Sequence, residues 1–107
     1  LRNPAYTGTF VFDNDFAALM PDVPPGEIAE GRAGGSPLLR AVAERGICRV
    51  LCYSPRHDQA MAQLSPAELR GVVEEWAAQY AELGAHDSAH QLLLFENRGG
   101  MMGATNP

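Results

Sequence analysis

The chain has 107 residues, enough for one domain with a real core, and 46% hydrophobic with 20% charged residues is ordinary globular composition. A formal charge of −5 argues against a nucleic-acid partner, because binding to that polyanion runs on clustered Lys and Arg. No run approaches the roughly 18 apolar residues of a membrane span, and no basic-then-apolar start marks a signal peptide.

Asn3-Pro4 and Thr7-Gly8 carry turn chemistry that leads into a predicted strand, Thr9–Asp13. Phe10 and Phe12 share one face of it, with Val11 on the other. Asn14-Asp15 interrupts an apolar run that resumes over Phe16–Met20. The pair is either a tight turn or two polar groups presented at a strand end. Pro21–Ser36 has no usable hydrophobic period and reads as a long surface excursion. Leu38–Arg45 is predicted to form a short helical turn that Gly46 stops. Ile47–Tyr53 is the next predicted strand, apolar on both faces, in which Arg49 needs water or a partner. Cys48 and Cys52 lie four apart on it and do not reach each other easily. They form no zinc motif, so packing and a reduced, cytoplasmic protein are expected. Pro55 ends the strand and presents His57 from a loop, a solvated residue unless Asp58 orients its imidazole.

Ser65–Leu83 is the strongly periodic helix. Ser65 is its cap, Pro66 takes the first helical position, and Glu68 completes a capping box. Leu69, Val72, Val73, Trp76, Tyr80 and Leu83 recur at spacings of three and four and predict one broad buried stripe. Glu74 and Glu75 are expected in solvent, and Gly84 is expected at φ > 0 beyond the helix. Ala85–His90 is a polar connection, with His86 and His90 as surface residues. Gln91–Glu96 reads as a buried strand that delivers Phe95–Pro107, where Gly99, Gly100 and Gly103 cluster. Their spacing matches neither a P-loop nor a Rossmann fingerprint. The stretch is either a glycine turn or a loop whose backbone N–H groups face a phosphate, Asn97 and Thr105 adding donors. Both ends of the chain read as cut: it starts without Met and stops at Asn106-Pro107 within a loop. The elements together predict an α+β fold, a mostly antiparallel sheet of Thr9–Asp13, Ile47–Tyr53 and Gln91–Glu96 with the helix packed on one face.

Four blocks carry a more specific signal. They are Asn3-Pro4-x-Tyr6-Thr7-Gly8-Thr9-Phe10-Val11-Phe12-x-Asn14-Asp15-Phe16; Arg49-Val50-x-Cys52-x-Ser54-Pro55-x-His57; Trp76-x-x-Gln79-Tyr80-x-Glu82-Leu83-Gly84; and Phe95-Glu96-Asn97-x-Gly99-x-x-Met102-Gly103-x-x-Asn106-Pro107. In this order they resemble the N-terminal part of the galactose-1-phosphate uridylyltransferase family, a branch of the histidine-triad superfamily. The resemblance implies a truncated histidine-triad-like sheet with a packed helix, residues 1–107 being part of an N-terminal domain. It implies that Asn14 and Asp15 contact a nucleoside, the Asp suiting ribose hydroxyls as an ionised acceptor. Asn97, Gly103, Ala104 and Thr105 match positions that line the phosphates. Thr105 stands where Ser is common, and Ala104 where Cys is frequent. His57 matches a zinc ligand of many members, in which two upstream Cys and a triad His complete the site. Members without a His there exist, so the metal is implied to be structural.

In the family the last block runs into His-Pro-His, whose second His is the nucleophile. No catalytic residue is therefore expected within residues 1–107, and the chain alone is expected to be inactive. The implied reaction exchanges UMP between UDP-glucose and galactose-1-phosphate through a uridylyl-histidine intermediate, in a cytoplasmic homodimer. Two alternatives stand: a sister nucleotide-sugar phosphorylase or adenylyltransferase, and a nucleotide-binding module without chemistry. A nucleotide-binding screen of the full-length protein separates the first, and a His-Pro-His after Pro107 argues against the second.

Overall fold

Alternation of Phe10, Val11 and Phe12 produces strand β1, Phe10–Asp13. The computed structural model describes residues 3–24, 26–27, 38, 41–86 and 91–103. Strand β2 is Gly26–Glu27, β3 is Val42–Ala43, β4 is Arg49–Cys52, and helix α1 is Pro66–Gly84. β1 pairs with β4 in one two-stranded sheet, and β2 pairs with β3 in another. The second pair is antiparallel, with Gly26 opposite Ala43 and Glu27 opposite Val42. Strands and a helix in separate stretches make the chain α+β. No helix among the described residues is long and apolar enough to cross a membrane.

The chain divides into two compact units, one of Leu1–Phe12 with Val50–Pro107 and one of Asp13–Arg49. In the first, the shared face of β1 is aromatic. The Phe10 and Phe12 rings stack with centroids 5.7 Å apart, and Tyr6 extends the stack at 5.4 Å from Phe10. In the second, Arg49 has the partner its position demands, Nε donating to Asp13 Oδ1 at 3.0 Å. Gly46 donates its N–H to the Met20 carbonyl at 3.3 Å. A Cβ there would stand 2.7 Å from Leu19 Cδ1, so a larger residue would require the Leu19 side chain to shift.

Helix α1 begins as expected. Ser65 Oγ accepts from the Glu68 N–H at 3.2 Å, and Glu68 Oε1 accepts from the Ser65 N–H at 3.3 Å. Its buried face is narrower than the six-residue stripe. Val72 is buried and Leu69, Trp76 and Leu83 half-buried, whereas Val73 and Tyr80 are 55% and 57% exposed. At about 100° per residue, Val73 and Tyr80 fall along one edge of the stripe, and that edge meets solvent. Glu75 is half-buried, not solvated: Oε2 accepts from Thr9 Oγ1 at 3.3 Å and Oε1 from Gln79 at 3.0 Å. Gly84 remains inside the helix. The chain leaves through a tightened turn in which the His86 N–H donates to the Leu83 carbonyl at 3.1 Å.

Three further expectations are corrected. Residues 91–98 include no strand, so the three-segment sheet does not form among the described residues; Leu93 is 72% and Phe95 80% exposed. Apolar content supplies a tendency to bury, but a ladder needs a second backbone in register. The segment expected as a helical turn contains β3 instead, with Arg45 bridging Met20. So short a helix cannot offset its nucleation cost, and β-branched Val42 suits the pairing. The excursion Pro21–Ser36 holds β2, and most of its remainder lies outside the described residues.

Candidate functional site

The Asn14–Asp15 step lies at the end of β1. Asn14 Oδ1 accepts from the Phe16 N–H at 3.0 Å, and the Asn14 N–H donates to the Cys48 carbonyl at 2.9 Å. This is an Asx turn, so the tight-turn reading holds. It also presents one polar group: Asp15 is exposed, beside the apolar Phe16 at 93%, whereas Asn14 is half-buried. Of the two polar residues, only Asp15 is presented to solvent.

The second group of candidates follows residue 91. Gly99 and Gly103 adopt φ of 85° and 74°, a region that favours glycine. They bracket a single 3-10 turn, Gly100–Met102. Within it the Met102 N–H donates to the Gly99 carbonyl at 3.1 Å and the Gly103 N–H to the Gly100 carbonyl at 3.0 Å. Those two amides therefore serve the turn and not an anion. Asn97 and Gly103 are exposed; Ala104 and Thr105 lie outside the described residues.

His57 stands exposed on the loop after β4, beside a cavity of about 480 Å3 lined by Asn3, Pro4, Ala5, Tyr6, Pro55 and His57. Asp58 does not orient its imidazole. Arg56 takes that carboxylate in two hydrogen bonds, at 3.1 and 2.9 Å. The Arg56 hydrogen bond holds Asp58 below the usual carboxylate range. Among the described residues no three His, Cys, Asp or Glu side chains converge to hold a metal ion, so His57 offers one ligand and these residues alone do not fit a zinc site. Cys48 and Cys52 are half-buried free thiols, as expected. The Tyr6 hydroxyl donates to the Ser54 carbonyl at 3.0 Å. Burial, then the nearby Cys52, raises its pKa above the ordinary value.

One concave surface has no counterpart in the sequence reading. A cavity of about 460 Å3 lies between Thr7–Thr9, Tyr53–Pro55 and the first turns of α1, with Gly71, Glu74 and Glu75 on the helix side. The only sequence signal for it is the small residues Gly8, Ala67 and Gly71, which leave space where larger side chains would pack.

Comparison with known proteins bears on all of these positions at once. The family described as galactose-1-phosphate uridyl transferase, N-terminal domain, matches residues 1–107. The galactose-1-phosphate uridylyltransferase of Rattus norvegicus is 46% identical over 106 residues, covering 98% of this chain and 26% of the relative. That of Haemophilus influenzae is 39% identical over 105 residues, covering 98% and 28%. The probable galactose-1-phosphate uridylyltransferase of Drosophila melanogaster is 38% identical over 109 residues, covering 100% and 29%. The chain thus spans 26–29% of the length of these three curated relatives. A family match over residues 1–107, which include the β1 turn, the His57 loop, α1 and the glycine turn, means that this chain belongs to the galactose-1-phosphate uridyl transferase family, within its N-terminal domain.

Proposed function

We propose that the full-length protein carrying this chain exchanges UMP between UDP-glucose and galactose-1-phosphate. The observation that carries the reading is the family match along all of residues 1–107. A histidine outside these residues attacks the α-phosphorus of UDP-glucose. An N–P bond forms, the P–O bond to glucose-1-phosphate breaks, and the sugar phosphate leaves. A phosphate oxygen of galactose-1-phosphate then attacks the same phosphorus, the N–P bond breaks, and UDP-galactose departs. Covalent catalysis divides one difficult transfer into two easier ones.

This chain's own residues bind and orient. The ionised Asp15 carboxylate accepts hydrogen bonds from ribose hydroxyls. Asn97 and the segment Gly103, Ala104 and Thr105 line the phosphates, the Asn97 amide and the Thr105 hydroxyl donating where charge develops at phosphorus and Gly103 shaping the turn. Zinc in the intact protein is structural, with His57 as one ligand, and no chemical step depends on it. A histidine-triad-like sheet, a homodimer and a cytoplasmic location complete the reading.

The test incubates full-length protein with UDP-glucose labelled in the uridine. Covalent label on the protein, discharged by galactose-1-phosphate as UDP-galactose, is the expected result. Binding without label would point to a module without chemistry, and transfer restricted to adenine nucleotides to a sister enzyme; either overturns the reading. Asp15→Ala should weaken UDP-glucose binding by about 1–3 kcal/mol, the loss of a hydrogen bond to a charged group.

A further inference from the structure

The loop that carries His57 is tied at both ends by phenol hydroxyls. At its start the Tyr6 hydroxyl donates to the Ser54 carbonyl at 3.0 Å, and at its end the Tyr53 hydroxyl donates to the Gln59 carbonyl at 3.0 Å. Both tyrosines are half-buried, and Tyr6 is further held by its stack on Phe10. Gln59 is itself anchored to the turn before α1, its Nε2 donating to the Gln63 carbonyl at 3.1 Å. Between the ties the Arg56 N–H donates to Ser54 Oγ at 3.2 Å, and the Arg56 guanidinium takes both oxygens of Asp58. Pro55, Arg56, His57 and Asp58 are all exposed, so packing does little to set their course. The hydrogen bonds set it.

From this arrangement we propose that Tyr6 and Tyr53 are positioning residues. Their hydroxyls close the Ser54–Gln59 loop into one conformation and so hold the exposed His57 imidazole in a fixed place. A loop ordered in advance spares whatever binds it the entropy of ordering it. The place of His57 is then set by the chain itself, with no bound ion or nucleotide required, and the proposal is independent of the uridylyl-transfer reading. The ties sit at opposite ends of the loop, so releasing one leaves the other in place. Their losses should therefore add in free energy and multiply in the population of the open loop.

The experiment is limited trypsin digestion of the full-length protein, before and after treatment with a chelator and desalting. Its reporter is the Arg56–His57 bond inside the loop, with cut sites identified by mass spectrometry. A protease cuts a folded chain where a segment opens, and when reclosing is fast the rate tracks the open population. Although Arg56 is exposed, cleavage there is expected to be at least roughly tenfold slower than in a free peptide of the same sequence. Tyr6→Phe and Tyr53→Phe should each speed it roughly three- to tenfold, the net worth of one hydrogen bond, and the double variant by about the product. Cleavage at Arg56 should depend weakly on urea, as local opening does, whereas cleavage at Arg70 within α1 should depend on it steeply. Acceleration at Arg56 that appears only with the steep urea dependence of Arg70 would mean a general loss of stability and would overturn the positioning role. So would unchanged cleavage in both variants. Protection of the wild-type loop that disappears with the chelator would assign its order to a bound ion and sink the proposal. Should a Phe variant fail to fold, the wild-type protein still decides: slow cleavage at Arg56 after chelation supports the proposal, and cleavage as fast as in the peptide overturns it.

Discussion

Tyr53 shows how one side chain's surroundings become a dependence on pH. Its hydroxyl donates to the Gln59 carbonyl at 3.0 Å, and the ring is half-buried. Burial raises its pKa above the ordinary 10.0, the negative charge of Glu96 adds to the rise, and Arg98 opposes it. The folded protein therefore favours the neutral phenol. A group whose pKa is higher folded than unfolded contributes stability that is complete below the unfolded value and is lost as pH climbs through the folded one. Tyr53→Phe should cost about 0.5–1.5 kcal/mol at neutral pH, the net worth of one hydrogen bond. It should also flatten the fall in stability above about pH 10. Urea denaturation of the full-length protein at neutral and alkaline pH measures both, and an alkaline fall unchanged by the substitution would count against the account.

Helix α1 can be tested as an element because its two determinants are separable. Its start depends on the reciprocal Ser65–Glu68 hydrogen bonds, with Pro66 placed where a missing N–H costs nothing. Ser65→Ala is expected to lower stability by about 1 kcal/mol without loss of helical circular dichroism. Its packing depends on which edge of the apolar stripe is inside. Val72, 1% exposed, should lose about 2 kcal/mol on substitution by Ala, whereas Val73, 55% exposed, should lose less than about 0.5. Comparable losses at the two positions would mean that both edges are buried.

Across the whole molecule, apolar surface exceeds what the described core covers. Leu64 and Val72 are the buried apolar residues among those described, while Phe16, Leu93, Phe95 and Met101 are at least 72% exposed. Scattered exposed apolar residues are ordinary, but Leu93, Leu94 and Phe95 are consecutive and together form a patch. Prepared alone, residues 1–107 should bind an apolar dye such as ANS and elute as more than one species in size-exclusion chromatography, with the dye signal falling in the full-length protein. A sharp monomer peak with no dye binding would contradict this.

What the sequence by itself determined is local. Helix α1 with its capping box, the stacked faces of Phe10 and Phe12, the Asn14 turn and the positive φ of Gly99 and Gly103 depend on residues a few positions apart. The energies that decide them, caps, alternation and the steric freedom of glycine, can be read from adjacent letters. The four blocks that name the family are legible for the same reason. Only the tertiary structure decided the remainder. It decided that β1 pairs with β4 while residues 91–98 include no strand, and that Arg49 meets Asp13, 36 positions away. It decided that Arg56, not His57, takes Asp58, and that one edge of the α1 stripe is left in solvent. Each of these is a competition among groups for one partner, and which group reaches that partner is fixed by how the chain packs in three dimensions.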